Sequence, residues 1–373
     1  MFINYALSGV LLLSVSFAAS ADELRLIQRQ PGLREWVSTD TVDRLSAEAH
    51  ARGACGGFFD LTDNPSEPER RPATRSTLDF DADPSRPDLV LPLMARASSQ
   101  RFEATIQTLA SYRNRYYTGA NGQKSSRWIL SAFRGIAKAR PDIEIQEFDH
   151  RNWPQKSVIA KIPGWDAGRG EAIVLGAHAD SINTKVSQWS RSKALAPGAD
   201  DNASGVAAVL EVFRVFIESG IRPARDVYFM AYAAEEVGLR GSHDIAEQFW
   251  ARSIRVSAVL NLDMIVYAGP ERTMGVTTSS THSQLNNFVR KLIDRYVGVP
   301  WANRSCGFAC SDHASWDRAG FPAAYVFEAV EEINPGWHRP EDVLSPVTDI
   351  EWAMNYVRLA IAFAVEMTAD PTY

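Results

Sequence analysis

The sequence predicts a three-layer α/β/α sandwich around a central mixed, largely parallel sheet. Apolar runs of strand length alternate with amphipathic stretches of helical length, the pattern of a sheet covered on both faces. Acidic residues and histidines crowd the ends of those runs. Open parallel sheets collect their ligands outside the carboxyl ends of the strands, so that crowding marks where chemistry is expected.

In chain order, Leu7 to Ala18 form a short apolar run, and Ala19-Ser20-Ala21 follows as a small-residue cleavage pattern before Asp22. Despite an n-region without Lys or Arg, residues 1–21 read as a signal peptide, so the protein is expected to be exported, either secreted or periplasmic. Residues 22–90 differ in composition from the remainder. The stretch from Asn64 to Asp88 holds five prolines and charges of both signs, which suits an exposed linker. The short segment before it, with His50 and Cys55, is expected to be a prosegment or an arm packed on the main domain, separable by cleavage in the arginine-rich linker.

Residues 91–373 read as one catalytic domain. Phe102 to Leu130 is mostly helical in pattern. Strands are expected at Ser157–Ile162, Ala172–Gly176, Asp226–Ala231, Ala258–Leu262 and Ala323–Phe327, with helices at Gly205–Ser219 and Ser283–Tyr296. The composition, 45% hydrophobic and 23% charged over 373 residues, is that of a soluble globular protein. A net charge of −6 argues against a nucleic-acid partner, and no long apolar run after the N-terminus suggests a membrane span.

The expected strands end beside His178 and Asp180, Glu235 and Glu236, and Asp263. His338 follows the last strand, and PGADDNASG, ahead of the long helix, supplies Asp200 and Asp201. Each residue alone has an ordinary explanation as a cap, a solvated carboxylate or a core histidine. Together, mixed imidazole and carboxylate donors suit zinc. Two histidines and three carboxylates exceed one tetrahedral catalytic site, and fit two zincs ~3.5–4 Å apart sharing a bridging carboxylate, expected to be Asp200. Cys306 and Cys310 form a C-x3-C pair able to bind metal or close a disulfide; export favours the disulfide.

The motifs LGAHADS, APGADDNASGVAAVLEV, FMAYAAEEVGLRGS, LNLDM and CGFACSDHASW resemble those of the secreted bacterial leucyl aminopeptidases of the two-zinc exopeptidase family, from about Arg96 to the C-terminus. The resemblance implies the zinc exopeptidase fold, with His178 and Asp263 on one zinc, Glu236 and His338 on the other, and Asp200 bridging both. It also implies Glu235 as general base acting on a two-zinc-bound water, and Asp180 as the group orienting His178. A cis peptide between the paired aspartates and a Cys306–Cys310 disulfide beside the substrate pocket belong to the same pattern. Relatives often carry Tyr between those cysteines, where its hydroxyl can support the tetrahedral intermediate; this chain has Phe308. An apolar pocket is expected from Met264, Phe308, Phe327, Ile333 and Trp337. His313 is expected near the site without binding metal, and His50, His150, His243 and His282 at surface or loop positions.

The implied activity is release of N-terminal residues, leucine or other apolar ones, from peptides or proteins by a monomeric, zymogen-like enzyme. Alternatives on the same fold are another exopeptidase, with Arg240 or Arg339 as the nearby cations for a carboxypeptidase, or a glutaminyl cyclase. An inactive binding module is the alternative of a different class, and the complete ligand set and Glu235 stand against it.

Overall fold

An antiparallel arm opens the computed structural model, which describes residues 24–51, 57–65, 71–74, 76–166 and 170–368. The expected signal peptide and Cys55 lie outside them. In the arm, β1 (Leu24–Gln30) pairs with β2 (Leu33–Ser38) and β3 (Phe59–Asp60), and α1 (Thr39–Ala51) connects the latter two. With β3 only two residues long, the arm is little more than a two-stranded hairpin, which is marginal on its own. Leu26, Phe59 and Leu61 accordingly pack against Leu239, Ala309 and Ala314 of the main domain. Backbone bonds from Asp60 N to Gly238 O (3.0 Å) and ion pairs Arg240–Asp63 (2.6 Å) and Arg191–Asp43 (3.0 Å) fasten it there.

The stretch expected to be an exposed linker lies along the domain over its described part. Arg71 donates through its amide to Arg318 O (2.8 Å) and stacks over Trp250, Thr74 donates to Gly320 O (2.7 Å), and Phe80 is buried in the core. One aromatic anchor and an arginine were enough to dock a segment whose composition suggested solvent.

The central sheet of the described residues has eight strands: β4 (Glu144–Phe148), β5 (Ser157–Ile162), β6 (Glu171–His178), β7 (Asp226–Tyr232), β8 (Arg255–Leu262), β9 (Met274–Thr277), β10 (Trp301–Arg304) and β11 (Ala323–Phe327). Their order is β10-β9-β11-β8-β6-β7-β5-β4. The inner strands β11, β8, β6 and β7 are mutually parallel, whereas β4, β5 and the β9–β11 pairing are antiparallel. All five expected strands are present. The three not expected are the polar edge strands EIQEF and WANR, which carry no apolar run, and the four-residue β9 between β10 and β11.

Side chains alternate across the sheet with period two. Val227, Phe229 and Ala231 of β7 face the larger core, with α2 (Pro87–Met94), α3 (Ser99–Ala110), α4 (Ala120–Ile136), the buried helix α6 (Gly205–Ser219), α8 (Ser283–Leu292) and α10 (Ile350–Met367). Tyr228, Met230 and Tyr232 face the smaller core, with α7 (Arg240–Ala251) and α9 (His313–Arg318); α5 (Gln188–Arg191) is a single surface turn. Phe229 is fully buried, 5.2 Å edge-on to Phe213, and its truncation to Ala is expected to cost about 3–5 kcal/mol. The helix expected over Phe102–Leu130 is two helices, α3 and α4, parted by a polar break at 111–119. No described helix is long and apolar enough to cross a membrane.

Candidate metal centre

Because β6, β7, β8 and β11 are parallel, their carboxyl ends share one edge, and the chain leaves each end into a loop bearing a donor. β6 ends at His178; Asp263 directly follows β8; Glu235 and Glu236 follow β7 by three and four residues. Several of these exits use left-handed backbone at non-glycine residues: Ala234 (φ 57°), Met264 (φ 53°) and His338 itself (φ 56°). Such conformations are uncommon and cluster where packing holds a functional geometry.

Two groups of donors converge. His178, Asp201 and Asp263 form one; Asp201, Glu236 and His338 form the other, with the donor atoms of each group within 4.8 Å of one another. His178 Nε2 lies 3.0 Å from Asp201 Oδ1 and 3.4 Å from Asp263 Oδ1. His338 Nε2 lies 2.7 Å from Asp201 Oδ2 and 2.8 Å from Glu236 Oε2. All five side chains are buried.

The shared residue is therefore Asp201, which corrects the expectation for Asp200. The Asp200 carboxylate turns the other way, accepting from Val266 N (3.1 Å) and Asn334 Nδ2 (2.8 Å). The physical reason lies in the turn Ala199–Ser204, whose backbone departs from helical angles at Asp201 (φ −104°, ψ 96°) and sends adjacent side chains in opposite directions. The cis peptide likewise falls one bond later than expected, between Asp201 and Asn202.

Glu235 lies beside both groups without belonging to either, with Oε2 4.0 Å from His178 Nε2. Asp180 stands behind them. Its Oδ1 is 3.5 Å from His178 Nδ1, and its two oxygens accept the amides of Glu235 (3.0 Å) and Glu236 (3.2 Å). It thus holds the glutamate backbone as well as facing the imidazole, a second task the sequence did not disclose. Ser311, also unforeseen although it sits inside the CGFACSDHASW motif, donates to Asp263 Oδ2 (2.6 Å) and accepts from Asn261 Nδ2 (2.8 Å).

Of the residues expected to line an apolar pocket, four come together in one packed cluster. Met264 and Phe327 form a cluster with Tyr325 and Cys310, and Ile333, Trp337 and Cys306 pack against it. Cys306 and Cys310 form a disulfide. Phe308 instead joins the arm's cluster, edge-on to Phe59 at 5.6 Å, because its neighbour Ala309 (φ 49°) reverses the chain there. His313 is buried, stacked on Tyr325 and 3.0 Å from Ser279 O, outside both groups that contain Asp201; burial pushes it down to about 4. His150 and His243 are buried too, contrary to expectation. His150 bridges Asp244 (2.7 Å) and Ser157 (2.8 Å). His282 caps α8 through Leu285 N, and the His50 side chain lies outside the described residues.

Electrostatics show what the cluster requires. Burial drives Glu235 far above the usual carboxylate range; burial, then the Asp201 charge, pushes Glu236 up to about 7. Burial opposes charge on His338 and His178, yet Glu236 and Asp201 raise His338 to about 10, and Asp263 and Glu235 raise His178 well above its ordinary value. Burial would raise Asp201, but His338 and His178 hold it far below the usual range. Carboxylates outnumber imidazoles in this buried cluster, an arrangement that favours bound cations. Apart from the histidine nitrogens, Asp201 Oδ1 and Oδ2, Glu236 Oε1 and Asp263 Oδ1 lack hydrogen-bond donors. Ligands of one tetrahedral zinc at ~2.0–2.1 Å stand roughly 3.3 Å apart, close to the His178–Asp263 spacing, so the donor set fits zinc.

The model of peptidase family M28 matches residues 157–362, the span that holds every one of these donors. The chain belongs to peptidase family M28. It is a hydrolase acting on peptide bonds, and its M28 relatives extend the match beyond that span. A probable leucine aminopeptidase of Arthroderma otae is 34% identical over 349 residues, 92% of each chain. Leucine aminopeptidase 1 of Fusarium vanettenii is 33% identical over 361 residues, 93% of this chain and 88% of its own. Among solved structures, the LapA aminopeptidase of Legionella pneumophila superposes with a TM-score of 0.78 at 30% identity, covering 90% of this chain and 91% of its own. The similarity is thus to fungal as well as bacterial M28 peptidases.

Proposed function

We propose that the protein is an exported two-zinc aminopeptidase, releasing leucine or other apolar residues from the N-termini of peptides and proteins. The observation that carries this reading is the pair of donor groups sharing Asp201, with Glu235 beside them and outside both. His178 and Asp263 would hold one ion, Glu236 and His338 the other, and Asp201 both. When bound, the ions supply Lewis acidity that polarises the scissile carbonyl and eases ionisation of water.

The chain's own residues supply the rest. Glu235, whose proton affinity burial raises, takes the proton from the attacking water and returns one to the leaving amine. Asp180 fixes both glutamates through their amides and faces the His178 ring. The carboxylate-rich donor cluster suits the ammonium of a free N-terminus, and the cluster of Met264, Phe327, Ile333 and Trp337, next in sequence to Asp263 and His338, suits an apolar side chain. A carboxypeptidase would need a free cation for its substrate. Of the two cations expected for that role, Arg240 is buried, paired with Asp63 and stacked on Trp153, which leaves only the exposed Arg339. The arm borders a cleft of about 260 Å³ that reaches Glu236 and Val237, which supports a zymogen role for it.

The test is hydrolysis of leucine p-nitroanilide beside its N-acetylated control, with zinc measured on the same sample before and after linker proteolysis. Cleavage of the free-amine substrate alone, lost on chelation and restored by zinc, is the expected result. Equal cleavage of the acetylated substrate, or zinc-replete protein inert even after proteolysis, would overturn the reading.

A further inference from the structure

Arg115 occupies the polar break between α3 and α4 and is fully buried. A guanidinium carries five N–H groups in a rigid fork, and here all five meet backbone carbonyls. Nε donates to Ala179 O (3.0 Å). Nη1 donates to Leu109 O (3.3 Å) and Pro197 O, and Nη2 to Gly198 O (2.8 Å) and Asp201 O (3.4 Å). One side chain thereby ties the exit of β6, just after His178, to the turn that presents Asp201. Burying a cation this deeply is costly without compensation. Burial lowers its pKa, and the charges of Asp342, Asp201, Asp180 and Glu236 oppose that.

Asp342 grips the same turn from the amide side. Its Oδ1 and Oδ2 accept the N–H groups of Asp200 (2.9 Å) and Asp201 (3.0 Å), and its carbonyl accepts that of Ala199 (3.1 Å). Gly198 completes the arrangement. Its φ is 57°, and a Cβ there would stand 2.2 Å from Asp201 O and 2.7 Å from Arg115 Nη2, so only glycine admits the arginine.

We infer that Arg115 and Asp342 are positioning residues that preset the shared carboxylate of Asp201 for two cations, by clamping its turn through carbonyls on one side and amides on the other. Neither belongs to the two donor groups, so both act through the backbone. The inference rests on the two-metal reading above. Groups behind a metal's ligands commonly tune its affinity 10–100-fold.

The test is zinc affinity, by chelator competition on the full chain, with the thermal midpoint of the metal-free protein recorded in parallel. Arg115→Met is expected to weaken zinc binding about 10–100-fold, and Arg115→Lys, which keeps the charge but not the fork, to fall between it and the unaltered protein. Asp342→Asn, which opposes an NH₂ to an amide N–H, provides an independent variant should the arginine substitutions not fold. A lowered thermal midpoint with undiminished zinc affinity in the folded variants would overturn the clamp and leave a structural arginine. If the unaltered protein takes up no zinc, the two-metal reading itself fails and the clamp falls with it.

Discussion

The turn bearing Asp200 and Asp201 and the loop bearing Glu235 and Glu236 present the same motif, two adjacent buried acids, with different outcomes. In each doublet the second acid joins the donor groups: Asp201 touches both histidines and Glu236 touches His338. The first acids diverge. Glu235 stays at the cluster's edge, 4.0 Å from His178, whereas Asp200 points away to Asn334 and shares its surroundings with Glu328. Both doublets are held alike, their consecutive amides accepted by the two oxygens of one buried aspartate, Asp180 for the glutamates and Asp342 for the aspartates. The anchoring is common to both; the backbone after the anchor separates a first acid that stays at the cluster's edge from one that turns away.

The largest difference is expected between Asp201→Ala and Asp200→Asn. The former is expected to strip both metals and lower kcat/KM by at least about 10³-fold, since several kcal/mol of charge stabilisation go with the ions. The latter should keep metal content, measured by elemental analysis, while losing about 1–3 kcal/mol of stability from a disturbed buried network. Equal metal loss in both would erase the distinction. Next comes the glutamate doublet. Glu235→Gln is expected to reduce kcat by about 10²–10⁴-fold with zinc retained, and Glu236→Gln to lose zinc first. A smaller effect, about 10–100-fold in kcat or zinc affinity, is expected for Asp180→Asn, read out by steady-state kinetics and chelator competition.

The least effect is expected outside both doublets. Burial would raise Asp63, but the Arg240 guanidinium holds its carboxyl below the ordinary 3.8. A depressed pKa stabilises above the unfolded value and is lost as pH falls through the folded one. Asp63→Asn should therefore lower the thermal midpoint by a few degrees at pH 7 without affecting zinc content. Its difference from the unaltered chain should close as pH drops below that value. A difference that persists at low pH would show the pair is not what fastens this part of the arm.

Much of the fold, and part of the site, is legible in the amino-acid sequence. The five buried strands announced themselves through apolar runs, and the donors through their place at strand ends. Asp200 and Asp201 could not be told apart, because direction at adjacent positions depends on backbone angles that small residues on either side leave open. Phe308 reads as a pocket residue because nothing near it in sequence announces its partner, Phe59 of the arm. Arg115 had no local signal at all: an arginine among Tyr, Asn and Thr in RNRYYTG reads as solvated, and only the convergence of Ala179, Pro197 and Gly198 around it makes it the most enclosed cation of the site.

The parallel order of β7, β6, β8 and β11 has a consequence for biosynthesis. Donors are drawn in sequence from the exits of β6, β7 and β8, with His338 following β11, so the second donor group closes only when the last strand has taken its place against β8. A nascent or C-terminally clipped chain can present the His178 group yet lacks the partner for Glu236. On the two-metal reading proposed above, a second cation could be held only once the chain beyond β11 has brought His338 to Glu236 and Asp201.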